Sequence, residues 1–297
     1  MLTETLQYGQ GHVLQTVAVT TLPESSQDNS YWVILIHGGA WRDPSQTSIG
    51  YLTGAASILI SSPAYTSTTL PRIAGFASIE YRLSPHPEYP QDPQTTDPRA
   101  LRAAKHPDHL HDVQDALRFL QHKYGFGERY LLVGHSCGAT LAFQSVMAGL
   151  RDRAEDKEKV VPAPTAILGV AGLYDLRLIR DTFSDVPAYQ EIVEGAFSKD
   201  EKLWDEASPA VVRGPNGVEG WEAGRLVVLA YSVEDGLVDP MQWKAMEHAL
   251  AGWEKDHSKE KGRRVEMLPL TGHHDEAWEN GEELARAIAF TIEKLGD

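Results

Sequence analysis

Tyr130-Leu131-Leu132-Val133 runs directly into Gly134-His135-Ser136-Cys137-Gly138, and that into Ala139-Thr140-Leu141-Ala142-Phe143. An apolar β-type run, a Gly-x-Ser-x-Gly turn and a helix-forming run with no residue between them describe strand, sharp turn and helix. Few arrangements of the remaining chain tolerate such a junction. The turn leaves no room for side chains beside the serine, which is why glycine flanks it at 134 and 138. Ser136 is then expected in a strained backbone conformation with its hydroxyl aimed outward. The N–H of Cys137 opens the helix and points at the same spot. Gly-x-Ser-x-Gly also recurs without chemistry, as a glycine-flanked turn holding an ordinary serine, so the rest of the chain has to decide.

The 297 residues are 42% hydrophobic, enough to bury a large core in one α/β domain with or without a small cap. With 27 basic against 42 acidic residues the net charge is −15, which disfavours a nucleic-acid surface or an anionic membrane as partner. A lone cysteine, Cys137, excludes an internal disulfide and a cysteine zinc site. Met1 to Leu6 has neither the basic nor the apolar region of a signal peptide. No run approaches the roughly 20 apolar residues of a spanning helix. A cytoplasmic protein is the expectation. A homodimer is compatible with the sequence.

Strands are expected at Val13 to Thr21, Tyr31 to Ile36, Gly75 to Tyr81, Tyr130 to Val133, Thr165 to Val170, Arg225 to Tyr231 and Val265 to Leu268. Helices are expected at Ile49 to Ser61, Asp108 to Tyr124, Ala139 to Leu150, Met241 to Trp253 and Glu276 to Leu295. Pro23 to Ser30 reads as a polar turn, the proline-crowded Ser84 to Pro107 as a loop, and Arg151 to Lys159 as a charged link. Asp108 is a plausible N-cap and Gly125 a plausible stop for the second helix. Strands alternating with helices argue a mostly parallel sheet wrapped on both faces. One domain, residues 1–297, is expected. Residues 172–208 lack a strand pattern and carry Tyr174, Phe183, Tyr189, Phe197 and Trp204. They read either as a small helical insertion over the active site or as a peripheral pair of helices.

Candidate reactive residues fall just past strand ends, where open α/β sheets bind ligands. His37-Gly38-Gly39 follows one strand, Ser136 another, Asp235 a later one, and His273-His274 the last. Serine, acid and histidine occur in the chain order of the α/β-hydrolases. A serine hydroxyl attacks well only if a base takes its proton. An imidazole can take it and return it to a leaving amine. An aspartate would hold the imidazole tautomer and stabilise the cation. Backbone N–H groups of Gly38, Gly39 and Cys137 would receive the oxyanion. Asp235 competes with Glu234, a candidate solvated charge, and with Asp239, which an N-cap role before Pro240 explains. Only one of His273 and His274 can be the base. His135 and His37 read as packed or bracing histidines. Cys137 follows the exposed elbow position and is a poor nucleophile candidate. His106, His109 and His111 lack partners at zinc spacing and read as a solvated loop and helix face.

His37-Gly38-Gly39-Ala40-Trp41 resembles the HGGxW signature of the kynurenine formamidases. Tyr81-Arg82-Leu83-Ser84-Pro85, Gly172-Leu173-Tyr174-Asp175-Leu176 and Ala207-Ser208-Pro209 also look like segments of that family. From about residue 30 onward the chain is similar to its short fungal form, and to the neighbouring hormone-sensitive-lipase-like esterases. Trp41, where those esterases usually carry a further glycine, is the discriminating position. His274-Asp275-Glu276, followed by Glu279-Asn280, is similar to the family's run around its catalytic histidine, and this selects His274. The resemblance implies an α/β-hydrolase fold and a Ser136–Asp235–His274 triad. It implies hydrolysis of N-formyl-L-kynurenine to L-kynurenine and formate, in tryptophan degradation toward NAD, with neither cofactor nor metal. Trp41 is expected to stack on the substrate ring and restrict the acyl pocket, or to be core. Arg42, Arg82 and Arg177 are candidates for the substrate's amino-acid end. A carboxylesterase acting on small acyl esters is the alternative, and a non-catalytic hydrolase-fold binding protein a more distant one.

Overall fold

The most apolar runs of the chain become the interior strands. A computed structural model of the chain describes residues 3–22, 30–150, 161–255 and 262–296. The polar turn read at 23–30, except Ser30, and the charged link at 151–159 lie outside these residues. The strands are β1 (Thr3–Gln7), β2 (Thr16–Thr21), β3 (Tyr31–Ile36), β4 (Ile73–Ile79), β5 (Tyr130–His135), β6 (Ala166–Val170), β7 (Leu226–Ser232) and β8 (Arg264–Leu270). They form one eight-stranded sheet in the order β1-β2-β4-β3-β5-β6-β7-β8. β1 and β2 run antiparallel at the edge, and β4 through β8 are parallel.

Alternation along each strand splits the core in two, because successive side chains point to opposite faces. Trp32, Ile34 and Ile36 of β3 pack with the face covered by α3 (Asp108–Tyr124), α4 (Cys137–Gln144) and α8 (Met241–Glu254). Val33 and Leu35 pack on the opposite face, against α1 (Ser48–Ser61) and α10 (Glu282–Lys294). A strand buried on both faces has no polar side to show, and so reads as a continuous apolar run. In α3 the helically spaced stripe Leu110, Val113, Leu117 and Leu120 is buried, and Gly125 ends the helix in the left-handed region at φ +62°. Asp108 is not the N-cap. Pro107 holds that position, and Asp108 instead accepts from the Lys105 N–H at 3.1 Å. None of the described helices is long and apolar enough to cross a membrane.

The remaining helices are α2 (Pro63–Thr66), α5 (Leu176–Thr182), α6 (Pro187–Phe197), α7 (Glu201–Ala207) and α9 (Glu276–Glu279). The strand β1 was not legible, since the segment Thr3–Gln7 is almost wholly exposed and carries no apolar alternation. The helix expected over Glu276 to Leu295 is two helices, α9 and α10. The chain breaks at Gly281, with φ +77°, where it crosses α1 so closely that a Cβ at 281 would lie 2.4 Å from the carbonyl carbon of Gly54. The helix after the elbow ends at Gln144 rather than Leu150.

Gly281→Ala should therefore lower stability by about 2 kcal/mol or more, the left-handed penalty of an L-residue adding to the clash. Gly195→Ala in α6, with nothing within 4 Å of the added carbon, should be neutral or slightly stabilising. Urea unfolding midpoints of the two variants check both.

Candidate active site

The sheet order reverses beside β3, whose sequence successor β4 lies on one side and β5 on the other. Loops leaving β3 and β5 therefore diverge and open a crevice at their C-terminal ends. Ser136 sits there with φ +52° and ψ −122°, a region that L-residues occupy only under constraint. The constraint is steric and can be located. A Cβ on Gly134 would lie 2.3 Å from the Gly138 carbonyl oxygen, and one on Gly138 would lie 2.3 Å from that of Ile36. The Ser136 N–H donates to Val170 O at 2.9 Å and pins the elbow to β6.

Ser136 and His274 both line a cavity of about 570 Å³. Asp235 leaves the end of β7 and His274 the end of β8, and their loops are tied by the Ser232 hydroxyl donating to Gly272 O at 2.6 Å. His274 Nδ1 lies 2.8 Å from Asp235 Oδ2, while Asp235 Oδ1 accepts from the N–H groups of Leu237 and Val238 at 2.8 and 2.9 Å. Burial opposes the charge on Asp235. The hydrogen bond and charge of His274, with the two N–H donors, outweigh it and hold the carboxyl below its ordinary value. With Nδ1 so engaged, Nε2 is the nitrogen left for Ser136. No hydrogen bond between the two is formed among the described residues, a distance that commonly tightens only on substrate binding.

The ambiguous neighbours separate cleanly. His273 is exposed and donates from Nδ1 to the Glu234 carbonyl at 3.0 Å, away from Asp235. Glu234 accepts from the Gly272 N–H at 2.7 Å and braces the loop. Asp239 accepts from the Met241 N–H at 2.7 Å, at the start of α8. His135 is buried and donates from Nε2 to the carbonyl of His274 at 3.1 Å. The cysteine thiol is buried, takes the Trp41 N–H at 3.3 Å, and is pushed by burial up to about 11. It has no thiolate to offer at neutral pH.

The Gly38-Gly39 segment is oriented from behind. The Tyr81 hydroxyl donates to the carbonyls of His37 and Gly38 at 3.0 and 3.1 Å. In a trans peptide the N–H points opposite to the carbonyl, so the N–H groups of Gly38 and Gly39 face away from Tyr81. Gly39 lines the cavity, and a Cβ on Gly38 would come 3.2 Å from Ser136 Cβ. Cys137 is the first residue of α4, where no intrahelical acceptor exists for its N–H. His37 stacks on Tyr81 at 4.3 Å and meets Glu80 at 3.1 Å, and Glu80 in turn accepts from the Ser48 N–H at 2.8 Å. His37 braces the loop.

Trp41 does not reach the cavity. Its φ of +58° follows +49° at Ala40, and this turn sends the indole inward, fully buried, edge-on to Phe197 of α6 at 5.0 Å. The cavity wall comes instead from Ile179, Phe183, Val186, Tyr189, Ile192 and Val193 of the 172–208 segment, and from Leu237 and Val238 beside the acid. The Tyr189 hydroxyl donates to Leu237 O at 2.8 Å, tying α6 to the acid loop. Arg42, Asp43, Gln46 and His86 supply the polar wall. Of the five aromatics of 172–208, Tyr174, Phe197 and Trp204 are core, and only Phe183 and Tyr189 line the cavity, whose remaining apolar wall is aliphatic and carries no distinguishing pattern in the sequence.

His106 and His109 are a correction. His109 is buried and His106 half-buried, because the 84–107 loop packs over the first turn of α3 and against α6. His109 is buried against the Ser84 hydroxyl at 3.1 Å, and His106 stacks on Phe197 at 5.1 Å. The signal was present: His109 precedes Val113 by one helical turn on the apolar stripe. His135, His274 and Asp275 bring ligand-type atoms within 4.8 Å of one another. His274 Nδ1 is held by Asp235, His135 Nε2 by a carbonyl, and Asp275 Oδ1 by the Trp278 indole N–H at 3.1 Å.

A mostly parallel eight-stranded sheet, a serine elbow after β5, an acid after β7 and a histidine after β8 define an α/β-hydrolase. The fold is similar to that of esterase B from Lactobacillus rhamnosis, with a TM-score of 0.64 at 18% identity over 99% of this chain and 87% of that one. No protein-family model matches the sequence. The chain is 42% identical to the kynurenine formamidase-like hydrolase fscH of Fusarium equiseti, over 91% of this chain and 85% of that protein. It is 33% identical to the kynurenine formamidase avaC of Aspergillus versicolor, over 90% and 91%. The chain belongs to the kynurenine formamidase family.

Burial pushes the His109 imidazole down to about 3 from its ordinary 6.5. The unfolded chain then binds a proton that the folded chain refuses, so this contribution to stability is full above about pH 6.5 and is lost as pH falls toward 3. Unfolding free energy should drop between pH 6 and 4. His109→Gln should reduce that slope by close to one proton, about 1.4 kcal/mol per pH unit. Denaturant titrations at several pH values measure it.

Proposed function

We propose that the chain is a serine hydrolase that cleaves the formamide of N-formyl-L-kynurenine to L-kynurenine and formate, a step of tryptophan degradation. The observation that carries this reading is the 2.8 Å Asp235–His274 bond behind a cavity that His274 lines together with Ser136, on a chain of the formamidase family. Ser136 attacks the formyl carbon as His274 Nε2 takes its proton. Asp235 keeps the imidazole in the productive tautomer and stabilises its cation. The tetrahedral oxyanion is received by the N–H groups of Gly38, Gly39 and Cys137. His274 then protonates the departing aryl amine. The remaining formyl ester on Ser136 is hydrolysed by water, with His274 again as base and then as acid. An aryl amine leaves more readily than an alkyl amine, which suits a triad working without further electrophilic help.

The wall of Ile179, Phe183, Val186, Ile192 and Val193 favours an apolar substrate body and suits the aryl ring. It would also suit the acyl chain of a small ester, and a carboxylesterase with the same triad is the second reading. Trp41 acts on the pocket only through Phe197, by fixing α6, and not by stacking on the ring.

Ser136→Ala should lower kcat by at least about three orders of magnitude with an unchanged circular dichroism spectrum. His274→Ala should be comparably damaging and His273→Ala mild. Retention of most activity in Ser136→Ala would remove the serine mechanism. Comparing wild-type kcat/KM for N-formyl-L-kynurenine with that for p-nitrophenyl butyrate separates the two substrate readings, a higher value for the ester favouring the esterase.

A further inference from the structure

A second cavity of about 500 Å³ adjoins the catalytic one, and Arg42 and His86 line both. Arginines of this chain are usually engaged. Arg82 holds Asp112 through Nε and Nη2 at 2.8 and 2.9 Å, and Arg177 holds Asp205 and Glu201. Either pairing removes its arginine from ligand recognition. Arg42 is different: among the described residues its guanidinium makes no hydrogen bond and no ion pair. It is half-buried, and its position one residue past Trp41 ties it to the loop that carries Gly38 and Gly39. In a chain with 42 acidic residues against 27 basic ones, a partly desolvated arginine left unpaired beside the nucleophile is costly unless a ligand completes it.

We infer that Arg42 receives the α-carboxylate of an amino-acid head carried by the formanilide substrate, and that the head occupies the second cavity. The inference rests on the formamidase reading above. The head lies several bonds from the scissile formamide, so it needs a compartment beyond the one holding Ser136, and Arg42 stands at the junction. A planar guanidinium matches a carboxylate through two parallel hydrogen bonds. The surroundings also select the whole zwitterion. Glu191 of α6 lines the second cavity with Arg42, and Glu88 and Asp43 lie within its electrostatic reach. A bare carboxylate entering there meets Arg42, a second cation, Arg102, whose guanidinium already donates to Tyr89 O at 2.6 Å, and several anions. A zwitterion brings an ammonium that turns Glu191 from a repulsive neighbour into a partner.

The test compares two formanilides that share the scissile bond: N-formyl-L-kynurenine, and 2-formamidoacetophenone, which lacks the amino-acid head. Wild-type kcat/KM should favour the former by about tenfold or more, chiefly through KM. Arg42→Ala should abolish most of that ratio, and Arg42→Lys should restore part of it. A ratio that survives Arg42→Ala, or a wild type indifferent to the head, overturns the inference while leaving the formamidase reading standing. Cleavage of neither formamide removes both. Should Arg42→Ala fail to fold, inhibition of wild-type p-nitrophenyl acetate hydrolysis by L-kynurenine and by 2-aminoacetophenone reads the same recognition. At least tenfold tighter inhibition by L-kynurenine supports it, and equal inhibition overturns it.

Discussion

The site depends on backbone packed against backbone at the elbow. Ile36 O would lie 2.3 Å from a Cβ at 138, and Gly138 O 2.3 Å from one at 134, so β3, β5 and α4 meet with no side chain between them. That contact leaves Ser136 its positive φ and turns its side chain out of the sheet. The strain amounts to about 1–3 kcal/mol. A single buried Leu or Ile stabilises by a comparable amount, and the two cores on either side of β3 and β5 contain many of them. The elbow is affordable only because the strands that end in it are buried on both faces.

A chain of polar contacts transmits that rigidity to the rest of the site. Tyr81 holds the carbonyls of His37 and Gly38, and Glu80 holds His37 while anchoring the start of α1. These groups are buried and partnered, so each fixes its neighbour's orientation. On the other side, His135 of the elbow strand grips the carbonyl of His274, and so links the His274 loop to the strand that leads into Ser136. Ser136, His274 and the paired glycines are in this way referred to one strand pair.

The cavity's shape has a different origin. Trp41 leaves the glycine loop, passes into the core and packs on Phe197, and α6 then presents Tyr189, Ile192 and Val193 to the substrate side. Tyr189 closes the circuit by bonding the carbonyl of Leu237 beside Asp235. The indole is thus a buttress. Its bulk sets where α6 lies, and α6 sets what the cavity admits.

Local patterns determined much of this. The two-faced strands β3, β5 and β6 were legible because double burial leaves only apolar residues. The elbow was legible because only glycine fits its flanks, and the order Ser136, Asp235, His274 because each follows a strand end. Tertiary packing alone decided the rest. Which of two adjacent histidines meets the acid depends on the rotation of the β8 loop, and His274 rather than His273 faces Asp235. Whether Trp41 points to the substrate or the core depends on two successive positive φ values that no composition announces. The break at Gly281 exists because α1 crosses there, and His109 is dry because the 84–107 loop covers it. Which arginine stays free for a ligand was equally beyond the sequence. Arg82 and Arg177 find carboxylates distant in the chain, Arg42 finds none among the described residues, and pairing across such distances is a property of the fold.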